Sequence, residues 1–185
     1  MFPDLKNKVV IVTGGAGAIG GATVKAFLRN GAKVFIADKK EPYCIDVSKE
    51  DDVKQMMRTV VEKYGRIDIL VNVAGGAIGG DTTEIDLQVF RENVDLNLTS
   101  TWLCIQNVIP HMKERGGTIV NISSVNGLTG IGEAAYSAAK AGIDSLARTT
   151  GVRYGRYGIR CNSLALGTIA TGTSRNWTER LKKRP

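Results

Sequence analysis

The chain has 185 residues, 43% hydrophobic and 23% charged, a composition that suits one globular domain, residues 1–185, around one core. No apolar stretch reaches the ~18 residues of a membrane span, and Met1–Lys6 leads into no apolar run of the ~7–15 residues a signal peptide needs, so a cytoplasmic location without a membrane partner is expected. The net charge of +7 is lopsided, with +4 in residues 173–185 and +3 in the other 172, and Trp177 is the single aromatic among the basic residues of that short segment, so no nucleic-acid partner is expected.

The first element is the apolar run Lys8–Thr13, read as a parallel strand buried on both faces. A glycine-rich turn follows, then a helix over Ala18–Asn30 that Gly31 stops. Ala32–Ala37 is a second strand closing at Asp38. Lys49–Tyr64 is an amphipathic helix with Val53, Met56, Met57, Val60 and Val61 on its apolar side and Ser48 as its expected N-cap. Ile67–Val71 is a strand, and Leu87 to about Arg115 a long helix that Pro110 is expected to kink. Thr118–Ile122, Ala134–Tyr154 and Ile159–Leu164 complete the chain as strand, helix and strand. Such alternation predicts βαβ units and an α/β fold with a parallel sheet.

Between the first strand and its helix, Gly15-Ala16-Gly17-Ala18-Ile19-Gly20 fits G-x-G-x-x-G, and Asp38 follows Gly20 by 18 residues at the next strand's end. Absent side chains let backbone N–H groups approach a pyrophosphate at a helix N-terminus, and the carboxylate suits ribose hydroxyls. A carboxylate there repels a 2′-phosphate, although Lys39 and Lys40 soften the repulsion, so NAD is expected over NADP.

Tyr136 and Lys140 are four apart in a helical segment and share a face. Alcohol oxidation requires loss of a proton as hydride leaves carbon, and a phenol of pKa near 10 is a poor base at pH 7. Lowering it by ~3 units takes about 4 kcal/mol, roughly what an ammonium at ~4 Å supplies in an effective dielectric of about 20. His111 is the sole histidine, which excludes a histidine triad. Cys44, Cys104 and Cys161 are dispersed without metal-ligand spacing, so buried free thiols and no metal are expected.

Taken in order, Thr13–Gly20, Asp38, Asp46-Val47, Asn72-Val73-Ala74-Gly75, Asn97, Ser124 and Tyr136-Ser137-Ala138-Ala139-Lys140 resemble the short-chain dehydrogenase/reductase family from about residue 8 to 171. The resemblance implies a doubly wound parallel sheet (Rossmann fold) and hydride transfer between NAD(H) and a secondary alcohol or ketone. It implies Tyr136 as acid/base, Lys140 lowering its pKa and holding the nicotinamide ribose, and Ser124 bonding the substrate oxygen. Asn97 would hold a water that links Lys140 to solvent. Gly14, Gly17, Ala18 and Ile19 would meet the pyrophosphate, Asp46 and Val47 the adenine, and Gly167, Ile169 and Thr171 the carboxamide, with Asn72, Ala74 and Gly75 also among the cofactor residues. A homodimer or homotetramer is implied in the same way.

The sequence departs from the family pattern at Val73, Ala18 and Leu166, the last standing where a proline precedes glycine. Only seven residues separate Asp38 from Asp46, too few for a further crossover helix, so Tyr43-Cys44-Ile45 is expected as a strand stub beside an open adenine rim. The family's final helix and strand are missing, which predicts Ile159–Leu164 as an exposed sheet edge. A chain so shortened has an alternative reading as a non-catalytic nucleotide-binding protein or an inactive dehydrogenase fragment. Substrate contacts are expected from Ile78, Gly79, Val125, Asn126, Leu128, Glu133 and Leu166; the absence of arginine or lysine among them disfavours phosphorylated or carboxylate substrates.

Overall fold

A computed structural model describes residues 2–171; the basic segment 173–185 lies outside the described residues. Strand β1, Val9–Thr13, is buried at every position, as a strand covered on both faces must be. It pairs with β2, Lys33–Ala37, and with β3, Ile69–Asn72. Outward from β3 come β4, Gly117–Ser124, and β5, Ile159–Leu166. Every pairing is parallel, and the order is β2-β1-β3-β4-β5. This is the expected doubly wound α/β sheet, with its change of direction between β1 and β3.

The alternation along β1 divides the core. Val10 and Val12 face α1, Ala18–Arg29, and meet Val24. Val9 and Ile11 face the other way, into a larger core with Met56, Met57 and Val60 from α2, Glu50–Tyr64. That core also takes in Leu103, Val108 and Met112 from the helix running to Met112, and Ala147 from the helix over 134–154.

The expected helix from Leu87 to Arg115 has three parts: α3, Leu87–Val94; a π-helical turn, Asp95–Thr99; and α4, Ser100–Met112. The departure from regular α-helical bonding falls at Asp95–Thr99 rather than at Pro110, whose exposed ring α4 accommodates near its C-terminal end. A π turn inserts an extra residue and rotates the later part of the helix relative to the earlier part, and here it carries Asn97 into the interior. A short helix that the sequence pattern does not predict, α5, spans Asn126–Thr129, and α6 spans Ala134–Tyr154 with the predicted bounds.

Three local expectations are corrected. Ser48 does not cap α2: its hydroxyl donates to Asp46 Oδ1 at 2.7 Å, a stronger local acceptor two residues back, and Lys49 occupies the cap position without a side-chain bond. Tyr43-Cys44-Ile45 forms no strand, because residues 39–45 are used in a turn that Ile45 N–H closes onto the Asp38 carbonyl at 2.7 Å. No helix forms there either, as the short spacing predicts. Cys44 is exposed, so only Cys104 and Cys161 are buried thiols.

Among the described residues, β2 and β5 are the outer strands, and Leu164 on β5 is 51% exposed. No helix among them is long and apolar enough to cross a membrane, and no group of metal-ligating side chains occurs.

Candidate active site

The carboxyl ends of β1 and β3 meet closely. Thr13 Oγ1, buried at the end of β1, accepts the N–H groups of Val73 and Ala74 at 3.1 Å each, which ties together the turns on either side of the direction change. Gly14 comes next at φ 64°, where a Cβ would stand 2.9 Å from the Ala74 backbone. A Cβ on Gly20 would collide with the Gly14 carbonyl oxygen, so this glycine permits the turn to close on α1. Gly17 differs: at the N-cap of α1, its Cβ would meet nothing nearer than the Gly14 carbonyl at 3.2 Å.

These turns border a cleft of about 490 Å³. Gly14, Gly17, Ala18, Ile19, Asp38, Asp46, Val47, Ala74, Gly75 and Thr171 line it, with Lys39 and Lys40 beside Asp38, and so does Ser48, which sequence reasoning had not placed there. Asp38 is held by backbone donors: Oδ2 accepts from Ala16 N–H at 2.9 Å and Oδ1 from Lys40 N–H at 3.0 Å. Burial works to raise the pKa of Asp46, but two hydrogen bonds from Ser48 and the charges of Lys39 and Lys49 leave it below the ordinary carboxyl value.

Asn72 stands apart from this lining. At the end of β3 it is buried, and its Nδ2 donates to Asn121 Oδ1 at 2.8 Å, while Asn121 Nδ2 donates to Cys161 Sγ at 3.6 Å. The amides join β3, β4 and β5 beneath the cleft. Burial pushes the Cys161 thiol up to about 11, so it stays protonated.

Ser124, Tyr136 and Lys140 converge where β4 ends against α6. Ser124 Oγ accepts the Asn126 N–H at 3.2 Å and stands near enough to the Tyr136 phenol to influence its titration. Burial pushes the Tyr136 phenol above its ordinary value; the Ser124 hydroxyl draws it down and the Glu133 carboxylate raises it again. Lys140, 3% exposed, donates to the Ile122 carbonyl at 2.8 Å, with Nζ 5.5 Å from the Tyr136 ring centre. Burial draws its pKa down to about 8.

Asn97 arrives from the π turn, fully buried. Its Nδ2 donates to the carbonyls of Gly76 and Asn93, both at 2.9 Å, and its Oδ1 accepts the Gly76 N–H at 3.1 Å. A Cβ on Gly75 would lie 2.5 Å from that oxygen and 3.4 Å from Lys140 Nζ, so the bare glycine lets Asn97 and Lys140 converge.

A second cleft of about 270 Å³ lies beside the first and shares Thr171 with it. Ser124, Tyr136, Val125, Asn126, Glu133, Gly167 and Ile169 line it. Ala77 and Thr168 belong to it but were not anticipated, whereas Ile78, Gly79, Leu128 and Leu166 do not line it. Ile78 instead bonds through its backbone to the Asn93 side chain, its N–H donating to Asn93 Oδ1 and its carbonyl accepting from Asn93 Nδ2. Leu128 sits on the far side of α5, in a cleft with Asp144 and Ser163.

Comparison with known proteins bears on this geometry. The family described as short chain dehydrogenase matches residues 40–182. The chain is 40% identical to an uncharacterized oxidoreductase of Schizosaccharomyces pombe, a match covering 98% of this chain and 73% of that one. It is 35% identical to a 7alpha-hydroxysteroid dehydrogenase of Bacteroides fragilis over 92% of this chain and 75% of that one. The structure of Thermoplasma acidophilum aldohexose dehydrogenase in ligand-free form superposes with a TM-score of 0.90 at 31% identity, covering 100% of this chain and 76% of that chain.

Proposed function

Because the chain belongs to the short chain dehydrogenase family, we propose that it moves a hydride between NAD and a small secondary alcohol or ketone. The observation that carries this reading is that Ser124 and Tyr136 line a cleft, with Lys140 buried beside Tyr136, next to the glycine-lined cleft with which it shares Thr171. The chain's residues fit a dinucleotide. Gly17 leaves the floor of the larger cleft open at a helix N-terminus, where a phosphate is favoured. Asp38, turned by Ala16 and Lys40, would take the adenosine ribose, and its charge supports NAD over NADP. Asp46 and Val47 would border the adenine, and Gly167, Ile169 and Thr171 the carboxamide.

When bound, the nicotinamide ring supplies the carbon that accepts or returns hydride. The chain's own part is proton transfer. Ser124 would hold the substrate oxygen, and Tyr136 Oη would take its proton as the carbonyl forms, or return it in reduction. A phenol raised by burial needs positive charge beside it to act as a base, and Lys140 is the cation placed for this. In this reading Asn97 keeps the backbone at Gly76 in place beside Lys140, and a water at Asn97 would link Lys140 to solvent.

Exposed Phe90 on α3, Trp102 on α4 and Val152 on α6 support association into a homodimer or homotetramer, a reading that a monomer in analytical ultracentrifugation would remove.

The test is calorimetric titration with NADH and NADPH, followed by a panel of secondary alcohols. Tighter NADH binding with turnover of at least one alcohol is expected, and Tyr136→Phe should bind NADH normally while losing turnover. Turnover that survives Tyr136→Phe would remove Tyr136 from the mechanism. NADH binding without oxidation of any alcohol would favour a nucleotide-binding protein without catalysis.

A further inference from the structure

Lys140 and Asp144 lie one turn apart on the buried face of α6, at 3% and 7% exposure. Asp144 Oδ1 accepts the Ser163 hydroxyl of β5 at 2.6 Å, and Oδ2 is buried with no hydrogen-bond partner among the described residues. A buried carboxylate with an oxygen left over is destabilising unless a cation offsets its charge. Arg148, one turn further along, is exposed and forms no ion pair with Asp144 among the described residues. The buried cation along this face is Lys140. Its side chain reaches towards Tyr136, as helical side chains lean towards the N-terminus.

We infer that Asp144 is a positioning residue for the reaction: anchored by Ser163, its carboxylate keeps the buried Lys140 ammonium charged and so available to Tyr136. The inference rests on the reading of Tyr136 and Lys140 as the proton-transfer pair. A line of groups then runs from the outer strand to the reacting centre: Ser163 on β5, then Asp144, Lys140 and Tyr136 at successive turns of α6.

The surroundings leave this assignment to Asp144. Burial draws the Lys140 pKa down to about 8, and Asp144 is the charge that opposes it. From β4, Lys140 meets the neutral Ile122 carbonyl. On β5, Cys161 is a thiol held up at about 11, and Arg160 is exposed, with a hydrogen bond to Thr118. Arg91 and Glu92 on α3 and Asp95 on the π turn are exposed. Glu133 precedes α6 beside Tyr136, and α5 carries no charged residue.

The experiment tracks the Lys140 side chain by NMR in carbon-13-labelled protein, with its signal assigned by Lys140→Arg. The wild-type midpoint is expected at about 8. Asp144→Asn keeps the shape and removes the charge, and should lower the midpoint by ~1 unit, a roughly tenfold larger free-amine ratio at a given pH. Asp144→Glu should retain most of the wild-type value. If Asp144→Asn does not fold, Asp144→Leu combined with Ser163→Ala replaces the polar pair by apolar groups and is read in the same way. A lowered midpoint in either folded variant supports the assignment, and an unmoved midpoint overturns it. No substrate is involved in this titration, so the assignment can fail while Tyr136→Phe still abolishes turnover, and the reverse outcome is equally visible.

Discussion

The Asn97 side chain clasps the backbone of Gly76 from both sides, donating to its carbonyl at 2.9 Å and accepting its N–H at 3.1 Å. The clasp joins the π turn to the loop after β3, and Lys140 Nζ lies against the same loop at Gly75. Asn97→Ala removes three buried side-chain hydrogen bonds and leaves their backbone partners without compensation. We expect a loss of about 2–3 kcal/mol in urea unfolding, with turnover reduced further through the displaced loop. A variant as stable as wild type would show that the clasp is not structural.

The glycines of the first turn separate fold from binding. Gly20→Ala drives a methyl group into the Gly14 carbonyl, so both stability and NADH affinity should fall. Gly17→Ala places its methyl group on the open side of the turn, with only a 3.2 Å approach to the Gly14 carbonyl. It should keep stability within ~1 kcal/mol of wild type while weakening NADH binding roughly tenfold or more by calorimetry. Equal affinity in Gly17→Ala and wild type would place the dinucleotide elsewhere.

Stability should rise with pH where Lys140 titrates. Its pKa in the fold, about 8, lies below the ordinary 10.5. Below pH 8 the fold bears the full cost of a buried charge. From 8 to 10.5 the unfolded chain binds the proton that the folded chain has released, which favours folding as pH rises. Cys104 and Cys161, pushed up by burial to about 12 and about 11 from 9.0, act in the opposite direction above pH 9. The informative window is therefore pH 8 to 9. There, wild type should gain ~1 kcal/mol relative to Lys140→Met in denaturant titrations, and a constant difference between the two proteins contradicts the low pKa.

Cofactor choice should depend on Asp38. Its carboxylate faces the larger cleft beside Lys39 and Lys40. Asp38→Ser removes the repulsion and leaves both lysines, so the ratio of NADPH to NADH affinity should rise roughly tenfold or more. An unchanged ratio would mean that another group selects the cofactor.

Several features were legible because they are local. The all-apolar β1, the helix over Ala134–Tyr154 and the glycine turn each arise from periodicity or from turn chemistry within a few residues. The short interval from Asp38 to Asp46 excluded another helix by length alone. The expectation for Ser48 failed because its competing acceptor, Asp46, is set by the fold of the loop rather than by proximity to a helix start. The long helix concealed a π turn, since one extra residue barely alters an apolar pattern.

The amino-acid order by itself determined the βαβ alternation, the glycine turn leading to Asp38, and the placing of Tyr136 and Lys140 one turn apart on a helix. These depend on dihedral preferences and on the 3.6-residue period, which act over short stretches of chain. Tertiary structure alone decided that Thr13 would join two distant turns, that Asn97 would hold Gly76, that Asn72 would turn to Asn121 rather than to the cleft, and that Asp144 would be buried against Ser163. Each of these joins residues brought together only when the sheet assembles. Once water is excluded there, every remaining polar group must find a partner among whatever groups the packing has set beside it.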